Sequence, residues 1–235
     1  MKKLILLSLI VIGFNATACS HVDENGRPTR YTLNQLIRND SIPNLEKAAY
    51  DAELQTKHNT VYDGSWVKIG YPGGDPGYQQ GVCTDVVIRA LRCIDIDLQE
   101  LIHKDMKLRL SDYNKRYRTK TIDKNIDHRR TQNIQTYLTG LGAKIPTNGK
   151  YKPGDILFWD QIGAGHTGIV SNIRIAGTNK YLVVHNIGAG PQAENFAEYY
   201  APTEAYRLTD DMIKKMQKDC TFEYNAYYDF KYYVK

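Results

Sequence analysis

The chain has 235 residues, 42% of them hydrophobic and 24% charged, with a formal net charge of +5. That composition supports one sizeable core plus an extension. Its lysines and arginines are dispersed rather than clustered, which excludes a nucleic-acid footprint and leaves only a weak attraction to acidic polymers or membrane surfaces.

The N-terminus reads as an export signal. Lys2-Lys3 precede an apolar run from Leu4 to Phe14, then Ala16-Thr17-Ala18-Cys19. The run is too short to anchor the chain across a bilayer, and small residues precede the cut. Ala16-x-Ala18 suits an ordinary signal peptidase. Small residues directly before Cys19 instead resemble a bacterial lipoprotein signal, in which Cys19 is lipidated and holds the chain to a membrane. Residues 1–18 are thus a signal peptide and 19–43 a polar tether containing Gly26-Arg27-Pro28. The expected location is the bacterial cell envelope, on the periplasmic side.

Asn44 can cap a helix through Leu45, Ala48, Ala49, Ala52 and Leu54. Short apolar signals at Val61-Tyr62 and Trp66–Ile69 lead into a Pro/Gly loop, Tyr71-Pro72-Gly73-Gly74-Asp75-Pro76-Gly77. Next comes Gly81-Val82-Cys83, followed by Val86, Val87, Ala90, Leu91 and Ile94 at helical spacing. Cys83 then sits in or just before a first helical turn, where free amides and the helix dipole favour a thiolate. A second helix follows around Leu98–Met106. A polar run from Thr121 to Thr131 precedes a third, over 133–141. Within that run Asp127 and His128 either bind substrate or a metal, or belong to an Asp/Arg network that fixes the loop.

Strands are expected at Ile156–Trp159, Thr167–Ile173 and Tyr181–Val184, with a hairpin at Ala176–Asn179. A capped helix follows Thr209, and aromatic residues alternate strand-like from Phe222 to Tyr232. The fold class is α+β, with the cysteine-bearing helix before an antiparallel meander. Cys83, Cys93 and Cys220 remain after processing at Cys19, an odd number in an oxidising compartment. A Cys93–Cys220 disulfide would leave Cys83 free.

A thiol acyl-transfer site needs a nucleophile, a base and a group that orients the base. Cys83, His166, and His185 or Asn186 can supply them. If Gly177-Thr178 form the hairpin turn, Ala176 pairs with Asn179 and His166 shares a sheet face with His185. A loop longer or shorter by one residue selects Asn186 instead.

Several ordered motifs carry a resemblance. They are Tyr71-Pro72-Gly73-Gly74-Asp75, Gly81–Arg89 around Cys83, Asp97-Leu98-Gln99, His103–Met106, Ile126-Asp127-His128-Arg129-Arg130, Pro153-Gly154-Asp155-Ile156, His166–Ser171 and His185-Asn186-Ile187-Gly188. Over about 44–208 they resemble the bacterial envelope family DUF1287, and residues 209–235 look like a helix-strand addition to it. That family is similar to the NlpC-type branch of papain-like cysteine peptidases, although Val82 and Thr84-Asp85 flank Cys83 where that branch carries Asp before and Ser-Gly after. The resemblance implies a papain-like hydrolase domain over 44–208, with Cys83, His166 and His185 as catalytic residues. It further implies peptide bonds of cell-wall peptidoglycan as the target, with no cofactor. Asp85, Tyr71, Asp127, His128 and Asn186 stand inside the shared motifs as candidate substrate-binding residues. A non-catalytic lipoprotein that binds cell-wall peptides or a partner in the same groove is the alternative.

Overall fold

The computed structural model describes residues 39–118 and 121–224. Cys19, the signal segment and most of the tether lie outside these residues, as does the strand expected at the C-terminus beyond residue 224. Its described start, 222–224, is irregular.

Helix α1, Asn44–Gln55, opens the fold. Pro43 rather than Asn44 stands at its N-cap position, and Pro tolerates a helix start because the amide it lacks would have no acceptor there. Two short strands, β1 (Val61–Tyr62) and β2 (Gln80–Gly81), pair in parallel and bracket the Pro/Gly loop. Helix α2, Cys83–Arg92, begins two residues after β2, and every residue in it is buried. Helix α3 runs over Leu98–Arg116, with non-helical φ/ψ at Arg109. It is longer than its apolar periodicity predicts, because its second half is polar and is held by Asp105–Arg109 and Asp112–Lys115 pairs rather than by core burial. A 3-10 turn at Asp127–Arg129 leads into α4, Thr131–Gly140.

The remaining chain builds one six-stranded antiparallel sheet. Its strands are β3 (Lys144–Ile145), β4 (Ile156–Trp159), β5 (His166–Arg174), β6 (Tyr181–Asn186), β7 (Pro191–Glu194) and β8 (Glu204–Tyr206), in the spatial order β3-β8-β4-β5-β6-β7. A short helix α5, Phe196–Tyr199, lies between β7 and β8. Alternation along the strands divides the sheet's contacts into two layers. Ile156, Phe158, Ile169, Val184 and Tyr206 join the helical core with Val86, Val87, Leu91, Ile134 and Leu138. Leu157, Trp159, Val170, Val183 and Ala205 form a second cluster with Phe196.

Helix α6, Asp210–Asp219, is capped by Thr209 and sinks Ile213 and Met216 into the main core. The chain beyond residue 208 therefore packs as part of the same body. Cys220 follows α6, and no disulfide joins it to Cys93. Its sulfur instead accepts the Asp97 N–H at 3.4 Å. No helix among the described residues is long and apolar enough to cross a membrane.

Candidate active site

Cys83 is the first residue of α2. Asp85, two residues on, accepts the Val82 N–H at 2.7 Å and so closes the helix start from within. Both Asp85 oxygens are also held by Arg129, through Nε at 2.9 Å and Nη2 at 2.8 Å. Arg129 in turn donates to the carbonyls of Ser65 and Asp63. This buried fork ties the cysteine helix to the 3-10 turn and to the segment after β1. Asp85 is thus fully engaged, and its role is to set the position of Cys83.

The Cys83 side chain is 3% exposed. Its sulfur meets the backbone N–H of Thr167, at the start of β5, and the hydroxyl of Tyr62 lies beside it. Burial pushes the thiol up to about 11, the Thr167 N–H opposes that rise, and the Asp85 charge adds to it. The expectation that the helix start favours a thiolate is therefore reversed in the resting state. A dipole worth about 1 kcal/mol cannot offset desolvation of a buried anion.

His166 is the first residue of β5 and His185 the penultimate residue of β6. Gly168 pairs with His185, which makes His166 a diagonal neighbour of His185 on one face of the sheet. Their rings meet edge to face, with His166 Nε2 2.9 Å from His185 Nδ1. Trp159 pairs with His166 across β4 and tilts over its ring, while the Phe196 ring lies 4.1 Å from that of His185. Enclosure by these aromatics lowers both imidazoles, His166 to about 3 with the neighbouring His185 contributing, and His185 to about 4. Both rings are neutral at pH 7.

The rings project from the face that carries Trp159, whereas α2 packs on the face that carries Ile169 and Val184. Cys83 and the histidines therefore meet β5 from opposite sides, the sulfur touching the Thr167 backbone next to His166. Among the described residues no hydrogen bond joins Cys83 to His166.

The other candidates scatter around this point. Asn186 faces the helical layer, its amide 3.5 Å from the Gly81 carbonyl and its Oδ1 accepting from Gly188 N–H. That places it beside the start of α2. Asp127 accepts the Asp123 N–H at 2.6 Å and is buried. His128 is also buried; desolvation and the nearby Arg92 and Arg129 charges hold it well below the usual imidazole range. Asp127 is spent on the loop's own backbone, whereas His128 Nδ1 is buried with no hydrogen-bond partner among the described residues. Tyr71 stands apart, edge-on to His103 and under the Lys124 ammonium. Among the described residues no group of three or more His, Cys, Asp or Glu side chains is arranged to hold a metal ion.

Two contributors escape a reading by motif. Phe196 follows a polar strand and has no periodic signal. Glu194 Oε2 lies 3.0 Å from His185 Nε2 but off the line of its N–H. Tyr62, Trp66 and Ile187 are exposed large hydrophobic residues on the segments that lead to Cys83 and away from His185.

Residues 49–208 match a family described as a domain of unknown function, DUF1287. A relative from Escherichia coli (strain K12), named uncharacterized protein YijF, is 41% identical over 157 residues, which cover 65% of this chain and 76% of that protein. No solved structure matches. The family span takes in α2, both strand-borne histidines and their aromatic cover, and ends just before α6; the chain belongs to the DUF1287 family.

Proposed function

We propose that this protein is an exported cysteine hydrolase of papain-like, NlpC-type architecture that cuts an amide bond in cell-wall peptides. The observation that carries the reading is the buried His166–His185 pair, 2.9 Å between ring nitrogens, at the strand start whose Thr167 amide meets the Cys83 sulfur. The proposed nucleophile meets this strand start from the helical side and the proposed base and orienting group from the other, and together they are the residue types that acyl transfer needs.

The resting site is a neutral thiol and a neutral imidazole. The reading requires the His166 ring to reach the sulfur around the start of β5; as the sulfur then attacks the amide carbonyl, its proton passes to His166 Nδ1, and His185 holds the ring through the Nε2 of His166. The Cys83 amide, at the first position of α2, has no intrahelical acceptor and can donate to the developing oxyanion. His166 then returns the proton to the leaving amine. Water, deprotonated by His166, attacks the thioester and restores the thiol. Each step uses only side chains and water.

The target class rests on the envelope location implied by the N-terminal segment and on the resemblance to NlpC-type peptidases. A lipid anchor at Cys19 would hold the domain against a membrane beside the wall. The decisive experiment incubates purified peptidoglycan sacculi with the wild-type chain and with Cys83→Ala, and analyses released muropeptides by mass spectrometry. Wild type should release fragments bearing new amine and carboxyl ends, and Cys83→Ala none, with its melting temperature preserved. Undiminished cleavage by Cys83→Ala sinks the proposal.

A second reading, a wall-peptide binding lipoprotein without catalysis, is favoured by one feature: the histidine rings lie on the sheet face opposite α2. It requires that neither chain cuts sacculi and that both cosediment with them equally.

A further inference from the structure

We propose that Glu194 is a positioning residue that sets the tautomers of both buried histidines, so that His166 presents an unprotonated Nδ1. The consequence for catalysis rests on the hydrolase reading above; the tautomer assignment does not.

Two neutral imidazoles joined through one nitrogen each can share that contact in two ways. Either His166 Nε2–H donates to His185 Nδ1, or His185 Nδ1–H donates to His166 Nε2. The pair alone does not choose. Trp159 and Phe196, which enclose it, offer no acceptor, and the Trp159 N–H is spent on the Tyr200 carbonyl at 2.7 Å.

The choice is made at the other end of His185. Its Nε2 is buried and has no hydrogen-bond partner among the described residues. The Glu194 carboxylate stands beside it, Oε2 3.0 Å away. Glu194 lies on β7, the edge strand, where it pairs with Val183 beside the His185–Gln192 pair and so shares the histidines' face. Its side chain is 52% exposed and free to swing the carboxylate oxygen onto the N–H line.

An ionised carboxylate accepts hydrogen bonds and donates none. It therefore favours a proton on His185 Nε2. A neutral ring with its proton there has a bare Nδ1, which must accept from His166 Nε2–H. His166, its proton so fixed, has a lone pair at Nδ1. The opposite arrangement would aim the His185 Nε2 lone pair at a carboxylate and leave that buried nitrogen without a donor. The direction of the chain is thus His166 Nε2–H to His185 Nδ1, and His185 Nε2–H to Glu194.

The test is long-range 15N–1H correlation NMR on the full chain labelled at histidine, with His166 and His185 assigned by single substitution. The wild type should show both rings protonated at Nε2. Glu194→Gln, whose amide oxygen still accepts, should keep that pattern. Glu194→Ala should shift His185 toward the Nδ1–H form and His166 with it. A wild-type His185 protonated at Nδ1, or tautomers unchanged in Glu194→Ala, overturns the proposal. In parallel, sacculus cleavage should fall about tenfold or more in Glu194→Ala, with most of the loss recovered in Glu194→Gln. A wild type that cuts no wall would defeat the hydrolase reading and leave the tautomer result to be judged by itself.

Discussion

At pH 7, a thiol that titrates at about 11 is ionised in roughly one molecule in 10,000, against about one in 100 for the ordinary value of 9.0. Thiolate, not thiol, reacts with alkylating reagents. Cys83 in the folded chain should therefore react with iodoacetamide about 100-fold more slowly than the same thiol in urea, as followed by mass spectrometry of the peptide carrying it. An equal rate would mean that the sulfur is neither buried nor held by the Thr167 amide. Slow alkylation does not decide between hydrolase and binder, because a resting thiol is what the site holds under both. What decides is whether a bound amide draws the proton onto His166. Asp85, which a motif alone offers as a substrate contact, is accounted for by its partners. Three donors from Val82 and Arg129 already occupy its two oxygens, so Asp85→Asn would loosen the start of α2 rather than change specificity.

Among the elements, β4, β5 and β6 were legible because apolar residues dominate them and glycine-rich turns bound them. β7 and β8 were not: one begins with Pro191 and has Ala193 as its sole other apolar residue, the other is three residues long. The face shared by the histidines was legible for a reason that survives an irregularity. Arg174 pairs with Tyr181 but Val170 with Val183, so β5 carries two extra residues at a bulge. A shift of two preserves the alternation, whereas a shift of one would have brought Asn186 to the His166 face. Phe196 and Glu194 had no signal because their contacts are made by tertiary closure across the sheet edge. The crossing of β5 and β6 at the histidines depends on Gly168. A Cβ there would lie 2.7 Å from Val183 Cγ1, 2.8 Å from the Val184 carbonyl oxygen and 3.0 Å from His185 Cβ. A backbone oxygen cannot be moved cheaply, so Gly168→Ala must spread the two strands. It should lower stability by about 1–3 kcal/mol in urea titration and break the His166–His185 contact, abolishing the tautomer coupling seen by NMR. Full stability in Gly168→Ala would show that the strands are not packed so closely there.

For the molecule as a whole, buried neutral histidines and paired carboxylates set how stability depends on pH. His166 and His185 titrate at about 3 and about 4 when folded but near 6.5 when unfolded, and His128 is lowered in the same direction. Between 6.5 and 4 the unfolded chain takes up protons that the folded chain refuses, so stability must fall as pH falls through that window. The histidine contribution is fully present above 6.5. A shift from 6.5 to about 4 corresponds to a ceiling on the order of 3 kcal/mol at His185. A second loss follows at lower pH. Burial raises Asp75, but the Arg89 and Arg92 guanidinia overcome that and bring it down to about 2. Burial likewise opposes the Arg116, Lys144 and Tyr206 contacts that bring Glu204 to about 2. Their stabilisation is present above the ordinary carboxylate values of 3.8 and 4.5 and is lost as pH drops toward 2. Asp127 and Asp155 are raised by burial and offset part of this second loss, since protonation relieves them first in the folded chain. Urea titrations from pH 7.5 to 2.5 should thus show a decline that begins near 6.5, above the ordinary carboxylate values. His185→Asn should shrink that upper stage, to which His166 and His128 still contribute, while leaving the lower one in place. A wild-type stability that stays level from pH 7 to 5 would mean that the two imidazoles reach solvent and that the aromatic cover from Trp159 and Phe196 does not close over them.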